Sequence, residues 1–279
     1  MKLGVITDCF RLSLEESLKM AAELGFNGVQ IYATIGEFCP DMPMERRKEI
    51  KTLLKSLNLE VSALCGDMGG HGFQIEKDNA ERVEKTKRII DLACDFDTKV
   101  VTTHIGVIPA DKSHPRYAVM LDALSKCGAY AKEKGVTLAI ETGPETADVL
   151  YDFVSAIDGG VGVNLDPANF VMVAGQDPVE AVNLLKNHIV HTHAKDGVML
   201  KKTDPEMVYG CFAGEKYDGL DIGECFRETP LGEGSVDFPK YIEALRAVGY
   251  DGYLTVERET GDDPRADIII ARDMLKQVI

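Results

Sequence analysis

The sequence predicts a single-domain (β/α)8 barrel over residues 1–279, and three observations carry that prediction. Short runs rich in Val, Ile and Thr alternate with helical patterns from one end of the chain to the other. Eight such strand–helix units, spread over about 250 residues, are what one closed barrel needs. A doubly wound sheet usually shows a glycine fingerprint after its first strand, and "TDCFRLS" (7–13) has none.

The first strand is "KLGVIT" (2–7). Ser13 before "LEES" is a helix start, and Leu14, Leu18, Ala21 and Gly25 keep helical spacing. "GVQIYA" (28–33) is the second strand, and Ile50, Leu53, Leu54 and Leu57 mark the helix after it. "EVSALC" (60–65) and "KVVTTHI" (99–105) follow. Met120, Leu124, Cys127 and Ala131 then mark a helix that Gly135 should close. "VTLAIET" (136–142) and "GVGVNLD" (160–166) are the fifth and sixth strands. Asp177-Pro178 before "VEAV" opens the next helix. "IVHTHA" (189–194) is the seventh strand. A long irregular loop, 197–236, is expected after it, and a loop of that size in a compact domain is usually functional. Ile242, Leu245 and Val248 lead to Gly249 and the eighth strand, "GYLTVER" (252–258). Ile268, Ala271, Leu275 and Val278 form the closing helix.

The charge is −15, from 31 basic and 46 acidic residues. Such a surface repels phosphate backbones, and no basic patch offsets it, so nucleic-acid binding is not expected. Seven scattered cysteines without a CxxC pair suggest reduced thiols rather than disulfides or a zinc ribbon. The first residues enter a strand at once, and no apolar run is long enough for a membrane span. A cytoplasmic enzyme is the expectation.

Active sites of such barrels lie where the strands end. The last four strands end in Glu141, Asp166, His193 and Glu257. If these point inward, alternation sends Leu138, Ile140, Val163, Leu165, Leu254 and Val256 toward the helices. Any one of the four could be a rim residue in a salt bridge. Together, three converging carboxylates need a counter-charge, and one divalent cation supplies it. A mostly oxygen site with one imidazole suits Mn²⁺ or Mg²⁺ before Zn²⁺ or Co²⁺. His104 ends the fourth strand, and His71 sits in the glycine-rich "GDMGGHGF" (66–73); both are candidate substrate contacts. His191, one inward position deeper than His193, reads as a support for the ligands.

The motifs "AIET" (139–142), "VNLDPAN" (163–169), "HTHAKDG" (191–197) and "PLGEGSVDFPKYIEALRAVGYDGYLTVERE" (230–259) resemble the sugar phosphate isomerase/epimerase superfamily, the xylose isomerase-like TIM barrels. The resemblance covers nearly the whole chain. It implies Glu141, Asp166, His193 and Glu257 as metal ligands, with Glu141 and Glu257 doubling as the acid/base pair. It implies a small sugar or polyol substrate, and relatives that are often dimers or tetramers make a homo-oligomer an expectation. Three positions depart from the family pattern: Asn169 replaces a histidine, Ala147 a glutamate and Met199 a substrate-binding arginine. Asn169, Lys195 and Arg227 are therefore candidate substrate contacts.

The function expected is isomerisation or epimerisation of a ketose or polyol ketone, by proton transfer through a metal-stabilised enediolate. A dehydratase of a keto-inositol is the alternative. An endonuclease IV-like repair enzyme and a non-catalytic sugar-binding barrel rank below both. Backbone N–H groups of "GEGS" (232–235) could hold a phosphate, but the acidic surroundings favour an unphosphorylated substrate.

Overall fold

The computed structural model describes residues 1–279. The eight strands read from the sequence all form. They are β1 (Lys2–Ile6), β2 (Gly28–Tyr32), β3 (Glu60–Cys65), β4 (Val100–Thr103), β5 (Thr137–Glu141), β6 (Val161–Leu165), β7 (Ile189–Ala194) and β10 (Tyr253–Val256). They close into a barrel in the order β1-β10-β7-β6-β5-β4-β3-β2, every pair parallel. The surrounding helices are α1 (Leu14–Glu23), α2 (Met44–Ser56), α3 (Glu76–Asp95), α4 (Pro115–Lys134), α5 (Ala147–Ser155), the single turn α6 (Pro167–Asn169), α7 (Pro178–Leu185), α8 (Pro205–Phe212), α9 (Phe238–Ala247) and α10 (Pro264–Val278). None is long and apolar enough to cross a membrane.

The start and stop signals work as their chemistry requires. Ser13 and Glu16 exchange hydrogen bonds in a capping box at α1. Asp177 accepts from Val179 N, and Pro178 opens α7. Gly135 closes α4 at φ 69°, where a side chain would be strained.

Alternation then sorts the barrel. Leu138, Ile140, Val163, Leu165, Leu254 and Val256 join a core of 62 buried residues between staves and helices. The inner face is polar instead: Gln30, Thr102, Asn164, His191 and Thr255 are at most 1% exposed. The ladder shifts register at Val29/Gln30 and at Val163/Asn164. Such irregularities re-aim side chains, and here they fall at the two inward amides.

Segment 197–236 is not the irregular loop expected. Strands β8 (Asp196–Met199) and β9 (Phe226–Thr229) pair antiparallel, and α8 lies between them. Its two four-residue strands are far apart in sequence and carry no alternation, so only their pairing in space defines them. The arm is tied back by Arg116, which grips both oxygens of Glu206, and by His71 Nε2, 3.4 Å from Glu215 Oε1.

Candidate metal centre and active site

Glu141, Asp166, His193 and Glu257 come together at the strand ends. One ligand atom from each lies within 4.8 Å of the others, and all four residues are buried. His193 Nδ1 stands 2.6 Å from Glu257 Oε2, 3.4 Å from Asp166 Oδ2 and 3.5 Å from Glu141 Oε1. Yet Nδ1, Oε2 of Glu257 and Oδ2 of Asp166 make no hydrogen bond. Buried polar atoms are rarely left so. Ligand atoms about 2 Å from an ion stand about 3 Å from one another, and this group of mostly oxygen donors fits a divalent cation.

The other atoms of these side chains are held in place. Asp166 caps α6, its Oδ1 accepting from Ala168 N and Asn169 N, which leaves Oδ2 free. Gln30 Oε1, 3.1 Å away, accepts from His193 Nε2 and so presents Nδ1 to the carboxylates. Asn164 Nδ2 donates to Glu141 Oε2 at 3.2 Å and lies 3.1 Å from His193 Nε2. The amide oxygen of Asn164 must then accept, so His191 Nδ1 carries the proton at 2.8 Å, and its Nε2 accepts from the Thr255 hydroxyl at 3.0 Å. Burial, with His193 adding to it, pushes the His191 imidazole down to about 3, so it is a neutral support. Gln30 had a signal in the sequence, a lone amide between Val29 and Ile31 in an apolar strand.

Charge in the cluster is finely divided. Burial would lower the His193 imidazole, but Glu141 and Glu257 outweigh it and hold it well above its ordinary value. Burial would raise both glutamates. His193 and His104 outweigh it at Glu141, and Lys195 and His193 at Glu257, so both carboxyls sit below the usual range. Lys195, which burial would discharge, is kept charged by Glu257 at 3.0 Å and Glu259 at 2.7 Å.

A cavity of about 640 Å³ opens above the cluster. His104, Asn169, Lys195 and Arg227 line it. His104 Nε2 is 3.6 Å and Asn169 Nδ2 3.5 Å from Glu141 Oε1, so the cavity floor meets the cluster there. Arg227 is exposed and makes no hydrogen bond or ion pair with the cluster. His71 is not in the lining; it faces Glu215 of the arm. Tyr209, Glu228 and Glu259 line the cavity and were not singled out from the sequence, because the hairpin and the turn after β10 bring them there.

The phosphate reading of "GEGS" is overturned. Gly232 N and Gly234 N donate to Asp196 Oδ2, and Val236 N and Gly197 N to its Oδ1. These N–H groups are already satisfied from within the chain.

Glu145, in the loop after β5, escaped sequence reading. It is buried, and its Oε2 has no partner. Burial pushes its carboxyl up to about 8 from 4.5, against its own backbone N–H and His104. Within that window the folded protein keeps a proton that the unfolded chain releases. Stability should therefore fall as pH rises through the window and level off above it. Glu145→Gln is expected to remove the slope, gaining on the order of 1–3 kcal/mol near pH 9 and little near pH 4. Urea denaturation at both pH values checks this; parallel curves for the two proteins would refute it.

Three comparisons place the chain among known proteins. L-ribulose-5-phosphate 3-epimerase UlaE of Shigella boydii is 24% identical over 94% of this chain and 88% of its own length. Inosose dehydratase of Clostridium perfringens is 28% identical over 58% of this chain, a match that spans 54% of the dehydratase. A xylose isomerase-like TIM barrel protein from Mycobacterium smegmatis, solved in complex with magnesium, superposes with a TM-score of 0.70 at 19% identity, covering 95% of this chain and 87% of that one. The model of one family matches residues 18–278, and the chain belongs to it: the xylose isomerase-like TIM barrels.

Proposed function

We propose that the protein is a divalent-metal-dependent isomerase or epimerase of a ketose or related polyol ketone. The observation that carries this reading is the buried quartet of Glu141, Asp166, His193 and Glu257, three of whose atoms make no hydrogen bond, in contact with the cavity-lining residues His104, Asn169 and Lys195. Those four side chains would hold the ion, Mn²⁺ or Mg²⁺ by their chemistry. When bound, it would polarise a substrate carbonyl and stabilise the negative charge that develops on its oxygen.

The residues divide the remaining work. Glu257 Oε1, beside the Lys195 ammonium, is kept ionised and able to take a proton from the carbon next to the carbonyl. Glu141 Oε1, near His104 and Asn169, faces the same floor from three staves away. A proton removed by one and returned by the other on the opposite side inverts the carbon. Return by the same group gives 1,2-isomerisation. His104, Asn169 and Lys195 are placed to hold the hydroxyls.

Dehydration is the second reading, and Lys195 favours it. Its buried ammonium lines the cavity beside Glu257 and could hydrogen-bond a departing hydroxyl, to which His104 could give the proton. The match to inosose dehydratase adds support.

The test is a screen of ketoses and inososes with metal-loaded protein in D₂O. Deuterium at a single carbon supports isomerase or epimerase, loss of water supports the lyase, and no exchange with any ketone sinks both. Metal uptake near pH 7 should release a proton from His193 and tighten as pH rises, because the bound imidazole must be neutral. Calorimetry in two buffers of different ionisation enthalpy measures that proton; a buffer-independent heat would contradict it.

A further inference from the structure

The cavity is larger than a single sugar needs, and its walls are unlike its floor. His104, Asn169 and Lys195 touch the cluster, and Asp67, Gln74 and Arg227 are polar groups away from it. Met172, Val173, Tyr209, Phe212, Ile222 and Phe226 form an apolar wall higher up. A small hydrophobic cluster of its own backs the wall, Ala168, Met172, Val173 and Val208, separate from the main core. The aromatic rings run in a ladder from the floor to the lip. His104 and Tyr209 are 5.9 Å apart edge to face, Tyr209 and Phe212 5.7 Å, and Phe212 and Phe226 6.2 Å. Phe212 at the lip is 61% exposed, which is unfavourable for a phenyl group that nothing covers.

Gly69, Gly70, Gly72 and Gly106 also line the cavity. The first three follow β3, which stands diametrically across the barrel from β7, the strand that leads into the arm. The two sides meet at His71 and Glu215. Side chains are barred at two of these glycines. A Cβ on Gly72 would come within 2.1 Å of the Ile105 carbonyl carbon, and one on Gly106 within 2.5 Å of the His71 oxygen. One side is thus largely glycine backbone, together with the polar side chains of Asp67 and Gln74, and the other a row of rings. That is the shape of a slot for a planar apolar group.

We infer, resting on the keto-sugar reading above, that the substrate carries a flat apolar substituent, an aryl glycoside being the plainest case. The sugar ketone sits at the cluster and the substituent fills the slot between the Tyr209–Phe212–Phe226 wall and the glycine loops. Tyr209 and Phe212 are then specificity residues, reaching the substrate away from its reacting carbon.

The test uses unreactive probes, so it does not depend on turnover. Phenyl and methyl glycosides of glucose and galactose, in both anomeric forms, are titrated calorimetrically into the metal-loaded protein. At least one phenyl glycoside should bind about tenfold more tightly than its methyl partner, the gain of one good aromatic contact. Phe212→Ala should bring that ratio close to one, and Phe212→Tyr should keep it. Because Phe212 is exposed, an unchanged urea midpoint for both variants separates lost contact from lost fold. A ratio near one throughout, or one that Phe212→Ala leaves untouched, overturns the inference. So does tighter binding of a glucose phosphate that Arg227→Ala abolishes. A phenyl preference without deuterium exchange on any ketone would keep the slot and sink the proton-transfer reading, so the two failures are distinguishable.

Discussion

Glu257→Gln should lower turnover by about 10³-fold or more while the protein stays folded. The substitution keeps the shape of the side chain and one oxygen, so a weakened metal site can survive. It removes the charge that makes Glu257 a base and the partner that holds the Lys195 ammonium at 3.0 Å. A positioned acid or base contributes about 10²–10⁴-fold, and weaker metal binding adds to that loss. Glu141→Gln should be comparably slow, because it removes the second proton carrier and leaves one oxygen to serve both the ion and the Asn164 amide. The two variants can also divide the mechanism. If one group takes the proton and the other returns it, the variant that keeps the base still exchanges substrate hydrogen for deuterium without forming product. If a single group does both, one variant loses exchange and product together. Near-normal turnover in metal-loaded Glu257→Gln would defeat the two-base scheme.

The quartet was legible because two independent regularities coincide in it. Apolar alternation fixed which way each stave faced, and a charged residue at the end of four consecutive staves marked where the walls stop. Leu138 and Ile140 had to face the helices, so Glu141 had to face in. The supporting amides were half legible. Asn164 shares a face with Asp166, but its role depends on His191, Thr255 and a register shift that no local pattern encodes. Glu145 was not legible at all. Its burial goes with the packing of its loop against Tyr209 of α8, a helix far along the chain. The hairpin was missed for the same reason: Asp196 pairs with Thr229, and nothing near either residue announces the other. What the sequence hides is long-range pairing outside the repeating unit of the fold.

Asp196 shows how that hidden pairing is enforced. Asp196→Ala is expected to destabilise the protein by about 3–5 kcal/mol, the largest effect on stability of any change considered. The carboxylate is 1% exposed and accepts from four backbone N–H groups, Gly197, Gly232, Gly234 and Val236, at 2.8–3.1 Å. Hydrogen bonds to a charged acceptor contribute about 1.5–3 kcal/mol each, and truncation would leave four buried or half-buried donors without a partner. Loop relaxation and entering water recover part of that, hence the smaller net figure. Asp196→Asn should be nearly as harmful. Its oxygen can serve one pair of donors, but its amide must then face the other pair, donor against donor. Gly234→Ala probes the same contact from the other side, because a Cβ there would lie 2.1 Å from Asp196 Oδ1. All three can be measured by urea denaturation at neutral pH. Losses below about 1 kcal/mol for both Asp196 variants would mean that the turn is held by its glycine conformations alone. Losses of the expected size would identify a buried carboxylate, one residue after Lys195 and three after His193, as the post that fixes the hairpin and its cavity wall to the barrel.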